Sequence, residues 1–321
     1  MRRRSVLFAS SLLAPSAWPA SHAGTLRERT ASDQLRHVEE LLRLCRDLDP
    51  SDAGQISRRV EIFSSALRGA SFHWNPIGEG SGIDTDPPLS LFRFDCMTYV
   101  ESIVALARAL SLDDFFEELG QLRYGGQAPR FQNRMHFFST QWLPNAIAKR
   151  ALSDLADSKT AAMPSKELLV TLDERRWFGR LPQNRMYAKQ LRDLKPGPES
   201  EEFASWGEKL QIRRASLRYF TAAPRDGTGP VADGLCSGSV TAVVRPGSPF
   251  NEEAGLDDPI SHLGIAVYTN GKWVLRGTSI RDRAVVDRPF RSFFPSRPRA
   301  DQPFGYLVLE VLARPQAPTE N

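Results

Sequence analysis

Two positions in this 321-residue chain combine a residue type and a local setting suited to nucleophilic chemistry. The first is Asp95-Cys96, which opens an apolar-periodic run in which Val100, Ile103, Val104, Ala107 and Leu110 recur at helical spacing. Asp95 stands where an N-cap belongs, with its carboxylate able to accept from the first-turn amides. That puts Cys96 in the first turn, where the positive end of the helix dipole favours a thiolate. The competing reading is that Cys96 only packs, because free cysteines are among the most buried residues. A base separates the two readings.

The chain has five histidines. His22 falls in an apparent leader, His37 follows the polar side of the first helix, and His73 lies between Phe72 and Trp74. His136 and His262 remain. In Ile260-Ser261-His262-Leu263-Gly264-Ile265-Ala266-Val267-Tyr268, alternation puts Leu263, Ile265 and Val267 on one face and His262, Gly264 and Ala266 on the other. The small residues beside His262 predict a close approach by another backbone element, with the Cys96 helix as the candidate. Asn270-Gly271 favours a two-residue type I′ hairpin, which pairs Thr269 with Lys272. Carried back, that register sets Gly264 opposite Gly277 and His262 opposite Ser279, so the base has a hydroxyl across the ladder.

These residues need a scaffold of helices followed by strands. Leu35, Val38, Leu41, Leu42 and Cys45 mark one helix, and Ile56, Val60, Phe63 and Leu67 a second. Asn75 to Ser90 holds three glycines and three prolines and reads as a loop. After Gly238 the pattern changes to short β-rich runs at Ser239–Val244, Ile260–Tyr268, Lys272–Ser279, Ala284–Asp287 and Phe304–Leu312. The expectation is an α+β fold on an antiparallel sheet. Its divisions are a helical subdomain over 24–90, a core over 91–312 with a helical insertion at about 140–225, and a polar tail over 313–321.

Composition narrows the function classes. The chain is 41% hydrophobic and 25% charged, with a net charge of +4 and three cysteines, which excludes collagen-like, low-complexity and disulfide-scaffold classes. Three of the four net positive charges are Arg2, Arg3 and Arg4, followed by an apolar stretch from Val6 to Ala14 and then Ser21-His22-Ala23. This is the layout of an export signal over residues 1–23. The mature chain is then nearly neutral, with no nucleic-acid footprint, no span for stable membrane insertion and a periplasmic destination. No Cys-x-x-Cys or His-Glu-x-x-His zinc motif, phosphate loop or Gly-x-Ser-x-Gly elbow is present, so no metal or other cofactor is expected. Cys45 and Cys236 are either a disulfide formed after export or two buried thiols.

Three motifs in order, Phe94-Asp95-Cys96-Met97-Thr98-Tyr99-Val100-Glu101, Asn133-Arg134-Met135-His136-Phe137-Phe138 and Ser261-His262-Leu263-Gly264-Ile265, resemble the DUF1460 branch of the NlpC/P60 superfamily over residues 55 to 310. The resemblance implies a papain-like core with Cys96 as nucleophile and His262 as base. It also implies an N-acetylmuramoyl-L-alanine amidase acting on peptidoglycan fragments. Arg134 and His136 match an Arg-x-His pair that would hold stem-peptide carboxylates; a structural ion pair and a packed ring are the alternative. Asp95, Ser261 and Trp74 are further substrate-contact candidates, Trp74 as a sugar-site wall.

One departure matters. Relatives place a polar third residue on the strand after the catalytic histidine, where this chain has Arg276-Gly277-Thr278-Ser279. Gly277 cannot orient an imidazole, which leaves Ser279, a water or a backbone carbonyl for that role. The competing activities are a γ-D-glutamyl-diamino acid endopeptidase and a non-catalytic wall-binding module that kept the groove.

Overall fold

The structure, a computed structural model, describes residues 30–155, 164–184, 187–222, 229, 231–232, 235–248, 251, 255–294 and 303–315. The expected export signal lies outside the described residues, as does the expected tail beyond Pro315. The helices are α1 (Ala31–Arg43), α2 (Ala53–Ala66), α3 (Cys96–Arg108), α4 (Leu112–Tyr124), α5 (Leu143–Ala148), α6 (Glu174–Arg180), α7 (Ala188–Asp193) and α8 (Pro198–Lys209). The strands are β1 (Ser71–Phe72), β2 (Arg93–Phe94), β3 (Leu152–Asp154), β4 (Ser165–Asp173), β5 (Ile212–Phe220), β6 (Val231–Ala232), β7 (Leu235–Cys236), β8 (Ser239–Val244), β9 (Ile260–Thr269), β10 (Lys272–Ser279), β11 (Ala284–Pro289) and β12 (Gly305–Val311).

The main sheet runs β2-β1-β11-β10-β9-β8-β12-β5-β4, with β3 also on β12, and every pairing but β1 with β2 is antiparallel. The mixed helix-and-strand class holds. Asn270 and Gly271 both take positive φ (51° and 74°), as a type I′ turn requires. The register predicted from that turn is present from Thr269–Lys272 to Ile265–Arg276, where the β9–β10 ladder ends.

Apolar residues fill both sheet faces. Val100, Ile103 and Val104 of α3 pack with Leu263, Ile265 and Val267 in the larger core, which also holds Val38, Leu41, Val60 and Phe63 of α1 and α2. The two N-terminal helices are therefore continuous with the core, and residues from Ala31 onward form one unit. Ala266, Trp273, Leu275 and Phe290 form a smaller core on the opposite face.

Two expectations fail here. The α3 helix sits on the Leu263 face, not on the small-residue face of β9; a Cβ at Gly264 would lie 2.7 Å from the Arg276 carbonyl oxygen, so what comes close there is β10. The 140–225 insertion is also not simply helical, because β4 and β5 pair along nine residues. Only Val170, Leu172, Leu217, Tyr219 and Phe220 of these strands are buried, and Leu169 is 78% exposed. An arm so exposed does not need the apolar alternation by which strands are recognised.

Buried polar clamps hold the helices. Arg59 of α2 donates to the carbonyls of Cys45 (2.9 Å), Leu48 (2.6 Å), Leu106 (3.3 Å), Ala107 (2.6 Å) and Ala109, tying the turn after α1 to the C-terminal end of α3. A guanidinium suits this place because it supplies five donors and complements the negative end of the helix. Glu101 of α3 accepts from Arg123 Nε (3.0 Å) and Trp142 Nε1 (3.1 Å), joining α3 to α4 and to the turn before α5.

Candidate active site

The α3 helix starts with a complete capping box. Asp95 accepts from the Thr98 amide and hydroxyl, each at 2.8 Å, while the Asp95 amide donates to Thr98 Oγ1 at 3.1 Å. Half-buried Cys96 follows at the rim of the larger core. The backbone amides of Leu263, Cys96 and Met97 favour an anion on its sulfur. Burial first, and the Asp95 carboxylate second, outweigh these donors and push the thiol up to about 12. The expectation that the helix start makes Cys96 a resting thiolate is thus corrected. Desolvation disfavours the charged form, and the capping carboxylate adds a like charge beside it.

The Leu263 amide is free for Cys96 because β9 and β10 cease to pair at Ile265. One residue earlier, His262 is half-buried and its ring stacks on Phe293 (centroids 5.4 Å apart, planes at 10°). Burial, then the Arg288 charge, lowers the imidazole to about 4. A β-bulge sets its direction, since Val243 pairs with His262 and Val244 with Ile260, leaving Ser261 as the extra residue. The Ser261 hydroxyl donates to the Val243 carbonyl (3.3 Å) and helps hold that bulge. The thiol therefore lies against the residue next to His262, and thiol and imidazole are both neutral at pH 7.

Ser279 does not orient the imidazole. Its hydroxyl donates to Asp282 Oδ2 (2.7 Å) and accepts from the Asp282 amide (3.2 Å) and Arg288 Nη2 (2.9 Å). One donor and two lone pairs are then all used. Nε2 of His262 faces Gly277 instead, where a Cβ would lie 3.4 Å from it and 3.0 Å from the Leu263 carbonyl oxygen. Among the described residues, stacking on Phe293 is what orients the ring.

Arg134 takes the structural alternative. Its guanidinium is 9% exposed and donates to Glu79 Oε1 (2.9 and 2.7 Å), Asp84 Oδ2 (3.0 Å) and Asn75 Oδ1 (3.4 Å). These bonds pin the loop from Asn75 to Asp84, and the fork is occupied by the chain's own carboxylates. His136 is likewise packed. Nε2 lies 2.8 Å from the Phe131 carbonyl oxygen and the ring contacts Trp177 (4.7 Å), while burial and then Arg134 lower it to about 3. Trp74 lies edge-on to Phe72 (4.8 Å), and Asp95 spends its carboxylate on the cap.

Sequence reasoning missed Glu79, Asp84, Asp258 and Arg288. Asp258 accepts from the Ser139 amide (2.9 Å) and hydroxyl (2.7 Å) and from the Ile260 amide (3.0 Å), fixing the strand start two residues before His262. Its signal was available, as an Asp-Pro directly before a strand is a turn mark. Glu79 and Asp84 act across 55 and 50 residues, and Arg288, though near Ser279 and Asp282 in sequence, carries no local pattern. Among the described residues no three His, Cys, Asp or Glu side chains are grouped to hold a metal ion. Nor is any helix among them long and apolar enough to cross a membrane. All three cysteines are free, with Cys45 buried.

Known proteins share this fold. A DUF1460 protein from Legionella pneumophila has a similar structure, with a TM-score of 0.69 at 20% identity, covering 88% of this chain and 95% of the other. An N-acetylmuramoyl-L-alanine amidase from Bacteroides uniformis is similar with a TM-score of 0.56 at 19% identity, covering 80% of this chain and 99% of the other. At such identities the likeness concerns the fold. No curated protein matches the chain. The model of the AmiA-like family, described as N-acetylmuramoyl-L-alanine amidase-like, matches residues 62–300, about three quarters of the sequence, and the chain belongs to that family.

Proposed function

We propose that the protein is an exported, periplasmic cysteine amidase with a papain-like NlpC/P60 core. In this reading it hydrolyses the bond between the lactyl group of N-acetylmuramic acid, or its anhydro form, and L-alanine of the stem peptide. The observation that carries the reading is the capped helix start that sets Cys96 against the core containing Leu263, one residue from His262. His262 takes the thiol proton as sulfur bonds to the amide carbon. In this reading the Cys96 amide turns to the oxyanion as the charge moves from sulfur to oxygen. The imidazolium then protonates the departing alanine nitrogen, leaving a thioester. Water, deprotonated by His262, hydrolyses it to the lactyl carboxylate and free thiol.

With the thiol pushed up to about 12 and the imidazole lowered to about 4, transfer of the proton ahead of attack is disfavoured, because burial opposes both charges. Proton transfer and carbon–sulfur bond formation therefore proceed together. Digestion of defined muropeptides, followed by mass spectrometry, tests the reading: wild type releases free stem peptide and Cys96→Ala does not. Equal release by both overturns it. Cleavage after D-glutamate instead identifies the endopeptidase. The empty position at Gly277 favours the wall-binding module, which binding without turnover by wild type would establish.

A further inference from the structure

The sheet face that carries His262 continues across β10 and β11. By alternation Gly277 and Ser279 share it, and Leu275 faces Arg288 across the ladder, so Arg288 stands on it too. With glycine at 264 and 277 this face has no side chain at either position, and Phe293 walls the histidine. Arg288 is held from one side only. Nη2 donates to Ser279 Oγ (2.9 Å) and to Asp282 Oδ2, while Nε and Nη1 meet no acceptor among the described residues. Its side chain remains 31% exposed. The contrast with Arg134 is direct, since that fork is closed by Glu79 and Asp84.

We propose that Arg288, anchored by Ser279 and Asp282, binds a carboxylate of the peptide substrate with its remaining donors, beside the imidazole of His262. Among the described residues, it is the guanidinium on this face with donors to spare, and a planar fork suits a carboxylate. The choice of ligand rests on the amidase reading above, in which the stem peptide supplies carboxylates. It also gives Ser279 a role, as the residue that aims Arg288. A bound carboxylate would cancel the charge that opposes protonation of His262, so the base strengthens when substrate is seated.

The probes are N-acetylmuramoyl-L-alanyl-D-glutamate and its isoglutamine analogue, which differ by one carboxylate. Wild type is expected to favour the carboxylate form in kcat/KM, and Arg288→Gln to reduce that preference about tenfold or more. Arg288→Lys, with charge but no fork, should fall between. In Cys96→Ala, the carboxylate probe should raise the pH midpoint of the His262 ring signals in NMR, and Arg288→Gln in that background should abolish the response. An unchanged preference, or an unchanged response of His262, overturns the assignment. Absence of turnover by wild type would refute the amidase reading alone, because the NMR titration decides Arg288 without catalysis.

Discussion

Replacing Asp95 with Asn separates the two things that Asp95 does. Asparagine caps a helix about as well as aspartate, so the Thr98 amide keeps its acceptor, but the charge beside Cys96 disappears. A unit charge about 6 Å away in an effective dielectric of about 20 is worth about 3 kcal/mol, or about two pK units. The Cys96 thiol should therefore titrate about two pH units lower in Asp95→Asn. Because a less basic thiolate is a poorer nucleophile, the gain in alkylation rate at pH 7 is smaller, about tenfold. Iodoacetamide labelling from pH 6 to 11, read by peptide mass mapping so that Cys45 and Cys236 are followed apart, measures both. Wild-type labelling should keep rising through pH 10. A wild-type plateau below pH 8 would mean a resting thiolate and would falsify the placement of Asp95 as an opposing charge. No shift in Asp95→Asn would do the same.

Four further outcomes follow from the same geometry. After brief pH jumps, kcat/KM on a muropeptide should stay level from about pH 9 down to about pH 5 and fall only as His262 protonates near about 4; an acid limb at pH 6 to 7 contradicts this. Gly277→Ala, whose Cβ would crowd the Leu263 carbonyl and His262 Nε2, should lower kcat about ten- to a hundredfold with the fold intact by circular dichroism. Arg59→Leu strands five carbonyls and should cost about 3–5 kcal/mol in urea unfolding, and a loss below about 1 kcal/mol would show that water replaces the guanidinium. His136 is buried neutral, its folded value of about 3 lying below the unfolded 6.5, so its contribution is intact above pH 6.5 and is lost as pH falls from there towards 3. His136→Phe should remove about 1.4 kcal/mol per pH unit from that slope in unfolding measured between pH 6 and 4.

What sequence revealed depended on how far each signal travels. Asn270-Gly271 is local chemistry, and two residues with positive φ set five cross-strand pairs. Asp95 is equally local, since a cap and its amides lie within one turn. The pKa direction at Cys96 was not legible, because burial is made by residues far apart in the chain and it outweighs the helix start. The face that receives α3 was misjudged for a related reason. Small residues on a strand admit a close neighbour, but which neighbour depends on packing, and here it is β10. Arg134 shows the limit most clearly. Its motif position suggested substrate, yet Glu79 and Asp84 lie 55 and 50 residues upstream, in a stretch legible only as a loop.

The Arg59 clamp also bears on the order in which the protein assembles. All five of its carbonyl partners lie within 50 residues of it, and the Asp95–Thr98 box closes the other end of α3, so that helix is finished by contacts close in sequence. The histidine comes from β9, which needs the hairpin with β10, the pairing to β8 and the closure of a long intervening loop. The Cys96 helix can thus form early and His262 arrives late. A partly folded chain holds Cys96 without His262, and the pair is complete only when folding is nearly done.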